Sequence, residues 1–409
     1  MVKAGYKDTE VGVIPEDWEL SKIKDVCIII NGRGFKPHEW SPNGLPIIRI
    51  QNLNGSDDFN YYSGHFDSKI FVKRSQLLFA WSGSRGTSFG PHIWNGVNAL
   101  LNYHTWKLSV DDSKIDSKYF YHALKILTKH IEEQAHGASA LVHTQKGEME
   151  EFVFRRPKKE EQQAIAKALS DVDALITFLD KLIAKKCAIK TAVMQQLLTG
   201  KTRLPGFDEK WHSVSVAKHM TLNARIGWQG LKTDEYLENG QYSLVTGTDF
   251  NNGHINWGTC HFVDEWRYTQ DKKIQLKNGD VLLTKDGTIG KVGYVEYVHK
   301  PATLNSGVFV IRPIGNTIDS LFLYYVLTSR IFDNFLSKLS AGSTIAHLYQ
   351  KDFVTFNFIV PETVEQKAIA LILSDMDAEI TALENRRNKT NSIKQGMMQE
   401  LLSERTRLV

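Results

Sequence analysis

Residues 157–204 of this chain recur at residues 361–408, at a constant offset of 204 positions and without a gap; 24 of the 48 paired positions are identical. The matches include Pro157/Pro361, Glu161/Glu365, Gln162/Gln366, Leu169-Ser170-Asp171 with Leu373-Ser374-Asp375, Asp173/Asp377, Lys190/Lys394 and Arg203/Arg407. A self-match of this length constrains folding more than any composition does, because whatever one copy builds the chain builds twice.

The repeated stretch reads as helix. Apolar residues fall at Ile165, Leu169, Val172, Ile176, Leu179 and Ile183 in the first copy, and at Ile369, Leu373, Met376, Ile380 and Leu383 in the second. Alternating steps of four and three are the seam of a coiled coil. Pro157 marks the start, Glu160 and Glu161 occupy the first turn where negative charge suits the helix dipole, and Gly200 followed by Pro205 marks the stop. A helix over about 159–199 would be roughly 60 Å long at about 1.5 Å per residue. Such a helix is too long to be covered by its own domain, so the two stripes are expected to pack on each other, antiparallel. The seam then turns polar, at Lys186 and Lys190 in the first copy and Arg387, Thr390 and Lys394 in the second. Two readings stand: the stripe drifts to another face, as the shared Ile189/Ile393 suggests, or another protein or DNA meets the helices there.

The intervening segments also correspond. Strand-like runs at Val26–Ile30, Leu45–Ile50, Gln76–Trp81 and Thr105–Leu108 and a helix over about 117–130 make residues 1–156 a mixed, strand-rich domain. Residues 205–360 share the layout: Trp18 answers Trp211, Ala80–Gly86 answers Thr284–Gly290, Leu101-Asn102 answers Leu304-Asn305, Ile115–Ser117 answers Ile318–Ser320, and Ser139–His143 answers Ser343–His347. The fold class is therefore α+β, with two similar globular domains, 1–156 and 205–360, joined by two long antiparallel coiled-coil helices at 157–204 and 361–409 in a pseudo-two-fold repeat. The final LLSERTRLV matches the LLTGKTRLP that precedes the second domain, so the last helix is expected to end beside the first domain.

Several function classes fall away. No apolar run approaches the 18 or so residues of a membrane span, and the polar start is no secretory signal, so the expected compartment is cytoplasmic and no membrane partner is expected. Cys27, Cys187 and Cys260 are isolated and odd in number, which argues against disulfides and zinc. Gly200-Lys201-Thr202 lacks the first glycine of a phosphate loop and reads as a helix cap; Gly287, Gly290 and Gly293 have hairpin rather than dinucleotide spacing. His254, Cys260 and His261 lack a partner set for a metal, and no nucleophile elbow is present. No catalytic residue or bound cofactor is expected. The net charge of +4 permits nucleic-acid contact without demanding it.

What remains is a pair of loop sets rich in side chains that hydrogen-bond base edges or phosphates. In the first domain the candidates are Arg33, Lys36, Asn52, Trp81, Ser84, Arg85, Ser139, His143 and Lys146. In the second they are Arg225, Trp228, Gln229, Thr248, Lys285, Thr288, Lys291, Gly342, Ser343, Thr344, His347 and Tyr349. Solvated polar loops have the same composition. The frame is shared and the loop contents differ, as a binder of two different targets requires.

Five stretches carry a resemblance: GYKDTEVGVIPEDWEL at the start, RPKKEEQQAIAKALSDVDALI and VPETVEQKAIALILSDMDAEI at the helix starts, LLTGKTRLPGFDEKW between the halves and AGSTIAHLYQKDF late in the second domain. With them the chain resembles, over essentially its whole length, the specificity subunits of Type I restriction and modification enzymes. The resemblance implies a non-catalytic subunit whose two target recognition domains each read one half of a split double-stranded DNA sequence. It further implies two methyltransferase subunits that methylate adenine N6 with S-adenosylmethionine, a cofactor held by those partners, and motor-nuclease subunits in the restriction complex. In this family the Gly-Ser-Thr turn lies near DNA, which maps onto Gly342, Ser343, Thr344 and His347; the first domain departs, with Ala138, Ser139, Ala140 and His143. An autonomous two-site DNA-binding regulator is the alternative. A single-chain methyltransferase would need a cofactor loop and an Asn-Pro-Pro-Tyr-like motif, which are missing, and a scaffold without DNA contact leaves the divergent loops unexplained.

Overall fold

The computed structural model describes residues 4–134, 141–340, 347–402 and 406–408. It divides into two compact units, residues 1–180 with 385–409 and residues 181–384, so each unit takes part of both long helices.

In the first unit, a four-stranded antiparallel sheet runs in the order Gly90–Ile93, Leu77–Ala80, Thr105–Val110, Cys27–Asn31. A second sheet orders Tyr61–Tyr62, Leu45–Ile48, Ala99–Leu101 and Phe71–Val72, with Ala99–Leu101 parallel to Leu45–Ile48. The expected helix runs from Ser117 to Gln134 and lays Tyr119, Phe120 and Leu124 on the first sheet's core. In the second unit, Met220–Asn223, Val308–Pro313, Val281–Thr284 and Val292–Tyr294 form successive antiparallel neighbours of a six-stranded sheet. Tyr242–Val245 again lies parallel to a later strand, Ala302–Leu304. Of the glycine run, Gly287 and Gly290 lie in the connection of the hairpin 281–284/292–294 and Gly293 lies in its second strand. Gly200 adopts φ +69 just past the first long helix, the left-handed geometry of a C-terminal cap.

The long helices span Lys159–Leu197 and Thr363–Leu402. Their seams correct the expectation that each stripe is buried chiefly on the other helix. Ile165 and Leu169 enter the first unit's domain core with Phe120, Phe154, Met398, Leu401 and Leu402, while Ile369 and Leu373 enter the second unit's core with Phe322, Leu323, Met194, Leu197 and Leu198. Each apolar start therefore packs on its domain and on the tail of the other helix together. Leu179 and Ile380 are buried farther along; Val172, Ile176, Ile183, Met376 and Leu383 are half-buried.

Both ends are clamped by residues of the repeat. Arg407 binds Glu161 from Nε at 2.6 Å and Nη2 at 2.7 Å, and also binds Asp17; Glu161 accepts Trp18 Nε1 at 3.0 Å. Arg203 binds Glu365 from Nε at 2.8 Å and Nη2 at 2.6 Å, over the ring of Trp211. Both glutamates are 1% exposed. Bidentate geometry satisfies a carboxylate that would otherwise be costly to bury.

The polar half of the seam corrects the reading in which the apolar stripe drifts to another face. Lys394 pairs with Asp173 in the first unit, and Lys190 pairs with Asp377 at 2.5 Å in the second. Lys186 pairs with Glu379 and Arg387 with Asp180, and Thr390 is buried. These lysines do not stand unpaired: they face the other helix within the chain. Nor does the stripe drift, because Ile189 and Ile393 are exposed. The reason is complementarity: Asp173 and Asp377 are themselves repeated residues, so each copy carries both charges of the pair.

One position in this seam differs between the units. Tyr325 donates to Asp377 Oδ2 at 2.9 Å, whereas its counterpart His122 is buried with no partner for Nδ1 among the described residues. Burial, with Lys394 adding to it and Asp173 opposing, pushes His122 down from its ordinary 6.5 to about 4. A histidine held neutral when folded takes up protons on unfolding, so stability is complete above pH 6.5 and is lost as pH falls from 6.5 towards 4. The full loss is about 3 kcal/mol at about 1.4 kcal/mol per pH unit. We expect His122→Tyr to flatten the fall in thermal midpoint between pH 7 and pH 5; an unchanged fall would refute the assignment. Truncating the clamp by Arg407→Ala leaves Glu161 buried with only Trp18 Nε1 among its present partners. It should cost about 3 kcal/mol in urea denaturation, as removal of one partner from a buried pair does.

Candidate nucleic-acid interface

In the first unit the candidate loops meet around Asn102 and Tyr103. Arg33 bridges Asn102 through the backbone, and an added Cβ at Gly32 would stand 2.0 Å from Asn102 O, so only glycine permits this approach. Trp81 donates from Nε1 to Tyr103 O at 2.7 Å and stacks on Trp106. Immediately after Trp81, Ser82–Ser84 pairs antiparallel with Leu141–His143, bringing His143 opposite Ser82 and Leu141 opposite Ser84. Arg33, Trp81, Ser84 and His143 are thus gathered by tertiary pairing across a hundred residues of sequence.

The remaining candidates of this unit are tied elsewhere. The Arg33 guanidinium is itself engaged, by Glu39 and by the rings of Phe35 and Tyr62. Arg85 is exposed but donates to Glu132 O at 2.6 Å, at the end of the helix 117–134. Lys36 is exposed at the short turn Pro37–Glu39, and Lys146, three residues beyond His143, lies 3.6 Å from Glu150. Ser139 lies outside the described residues.

In the second unit the same frame carries different chemistry. The turn Thr246–Asp249 is closed by Thr246 N–H donating to Asp249 Oδ2 at 2.8 Å, and Gly247 abuts Thr284. Asn305 N–H donates to Val245 O, which sets that turn beside the 305 loop. The loop 284–291 is folded on Thr284, whose hydroxyl donates to Thr288 O at 2.5 Å and accepts Lys291 N–H at 2.9 Å. Leu348 N–H donates to Lys285 O, and Asp286 bridges His347 through the backbone. The result assembles Thr248, Lys285, Thr288, Lys291, His347 and Tyr349; Thr248, Thr288, Lys291 and Tyr349 are exposed. His347 packs on Tyr349 with centroids 4.5 Å apart, and Lys351 lies over the Tyr349 ring. Gly342, Ser343 and Thr344 lie outside the described residues, as does the side chain of Trp228.

Three candidates are buried rather than presented to solvent. Asn52 is buried and spends its amide on Ser56 O at 3.0 Å and Asp58 O at 2.9 Å, while its Oδ1 accepts Arg49 N–H. Arg225 is 1% exposed and donates to Leu304 O, Gln270 Oε1 and Thr303 Oγ1. Burial, and then the neighbouring Arg267, holds it below its ordinary range. Gln229 is buried too. Loop residues of these types stabilise loops as readily as they contact ligands, and only burial distinguishes the two uses. Conversely, Asp286 belongs to this cluster although it is not among the sequence candidates; the alignment of Ala80–Gly86 with Thr284–Gly290 sets it opposite Ser82, and that substitution of a charge is its signal in the sequence. Among the described residues no cluster could hold a metal, and no helix is long and apolar enough to cross a membrane.

A family model described as Type I restriction modification DNA specificity domain matches residues 15–185 and again 229–395. The chain is similar to the type I restriction enzyme MjaVIII specificity subunit of Methanocaldococcus jannaschii, 26% identical over 97% of this chain and 94% of that one. It is also similar to the type I restriction enzyme EcoBI specificity subunit of Escherichia coli, 23% identical over 95% of this chain and 85% of that one. Among solved structures, the Type-I restriction-modification S subunit from M. genitalium shares the fold with a TM-score of 0.63 at 17% identity, over 94% of this chain and 96% of that one.

Arg225→Ala should lower the stability of the second unit by about 3 kcal/mol, since it strips buried acceptors of a charged donor, without altering sequence preference in the folded fraction. Lys291→Ala should instead leave the thermal midpoint in place, weaken DNA binding evenly across sequences, and lower the log–log salt slope by about one. Fluorescence anisotropy over a salt series separates the two.

Proposed function

Because the chain belongs to the Type I restriction-modification DNA specificity family, we propose that it is the DNA-reading subunit of such a system and that each unit reads one half of a bipartite, asymmetric target. The observation that carries this reading is the shared frame with unlike contents. Equivalent loop positions hold Trp81 and Lys285, Ser82 and Asp286, Ser84 and Thr288, and Arg85 and Ile289. Two readers of one design but different side chains select two different base sequences.

The two long helices supply the spacing between half-sites, as the symmetry of dimeric repressors sets theirs. The chain presents the target to two methyltransferase subunits that carry S-adenosylmethionine and methylate adenine N6, and motor-nuclease subunits complete the restriction complex. The reading draws support from the relatives' own descriptions as specificity subunits of restriction enzymes, and from a similar structure, TM-score 0.54 at 16% identity, solved in work on complex assembly of the type I R-M system. Within this chain, the work is binding, orientation and spacing.

Methylome sequencing of cells expressing the chain with its methyltransferase partner tests the proposal directly: a two-part motif with an unread gap is expected, and a continuous motif or none would overturn it. Exchanging residues 16–155 for the equivalent domain of another family member should change one half of that motif and leave the other intact. A change in both halves would refute the modular reading.

A further inference from the structure

We propose that Asp286 is a positioning residue that determines which base His347 reads, an inference that rests on the second unit being the reader of one half-site. His347 Nδ1 is bonded to Asp286 Oδ1, and the backbones of the two residues bridge at the same place. A carboxylate offers only lone pairs, so in the neutral imidazole Nδ1 carries the proton and Nε2 is left as an acceptor. The ring packs against Tyr349, and Leu348 N–H donates to Lys285 O at 2.8 Å, which holds the segment against the loop that carries Asp286. Lys285 Nζ stands 4.0 Å from Asp286 Oδ2. The His347 side chain remains 28% exposed and Asp286 41% exposed, so the pair lies at the surface among Thr288, Lys291 and Tyr349.

An imidazole fixed with Nε2 as acceptor takes a hydrogen bond from an exocyclic amino group. In the major groove that group belongs to adenine or cytosine and is lacking in guanine and thymine. Without Asp286 the ring can present either a donor or an acceptor and the discrimination is lost. The first unit supports the assignment by contrast: its histidine occupies the same register, His143 opposite Ser82, with a hydroxyl where the second unit has a carboxylate. The frame supplies a histidine to both readers, and the neighbour differs.

The test uses the complex with its methyltransferase partner and compares methylomes of the wild type, Asp286→Ala, His347→Ala and the double variant. In Asp286→Ala one position of one half-site, adenine or cytosine in the wild type, should come to tolerate guanine or thymine. Its preference should fall by roughly five- to one-hundred-fold, the range of one base contact. The other half-site should not change, and adding Asp286→Ala to His347→Ala should alter nothing further. A uniform loss of methylation with all preferences retained would overturn the proposal, as would an unchanged motif. If Asp286→Ala gives no folded complex, Ser82→Asp poses the question in the first unit: one position of the first half-site should shift towards amino-bearing bases, and no shift there overturns the inference. A wild-type complex that modifies no bipartite motif would refute the parent reading instead, and this proposal with it.

Discussion

Everything else in this chain depends on a carboxylate buried at the start of each long helix and a guanidinium that reaches it from just past the end of the other. Glu161 and Glu365 are almost completely shielded from water, a placement that is destabilising for a lone carboxylate. Arg407 and Arg203 make it tolerable with paired hydrogen bonds, and in doing so they fix where each helix tail ends. Next to each glutamate, Gln162 and Gln366 close the joint to the domain: each accepts a backbone N–H, from Asp116 and Asp319, and donates to the proline carbonyl that precedes the helix, Pro157 and Pro361. The identities that recur between the copies are therefore the parts of a joint.

Farther along, half-buried Lys–Asp pairs replace hydrophobic contacts. Such pairs add little net stability compared with an apolar seam, yet they oppose any slip of one helix along the other, because a shift by one turn would leave partly desolvated charges unpaired. Apolar seams tolerate such slippage, and polar ones define register. The two units finish this arrangement differently. A tyrosine hydroxyl completes the hydrogen bonding of Asp377, whereas the equivalent histidine faces Asp173 with its Nδ1 unsatisfied among the described residues.

On the candidate reading surfaces the division of labour is similar. Backbone pairing and tight glycine contacts are common to both units, and they bring residues distant in sequence to one loop cluster. The chemistry presented there is local and divergent: an indole and a hydroxyl at Trp81 and Ser82, an ammonium and a carboxylate at Lys285 and Asp286. Because the frame common to both units is held by backbone pairing, the side chains it carries can differ between them.

The repeat, the strand-rich domains, the presence of two long helices and the bounds of the first to within two residues were legible in the amino-acid sequence, since hydrophobic period, proline and glycine punctuation and self-similarity are all local signals. The correspondence of loop positions between the two halves was legible as well. What only the tertiary structure decided was the use of individual polar residues. Arg225 and Asn52 are loop residues of the right type whose hydrogen-bonding groups are consumed internally, and Lys190 and Lys394 look like a free basic edge until Asp377 and Asp173 are found opposite them. Asp286 is set apart from other loop carboxylates only by the backbone bridge that joins it to His347. Burial and partnership are properties of residues brought together from far apart along the chain, and no local pattern encodes which of two similar polar side chains will be left facing the solvent.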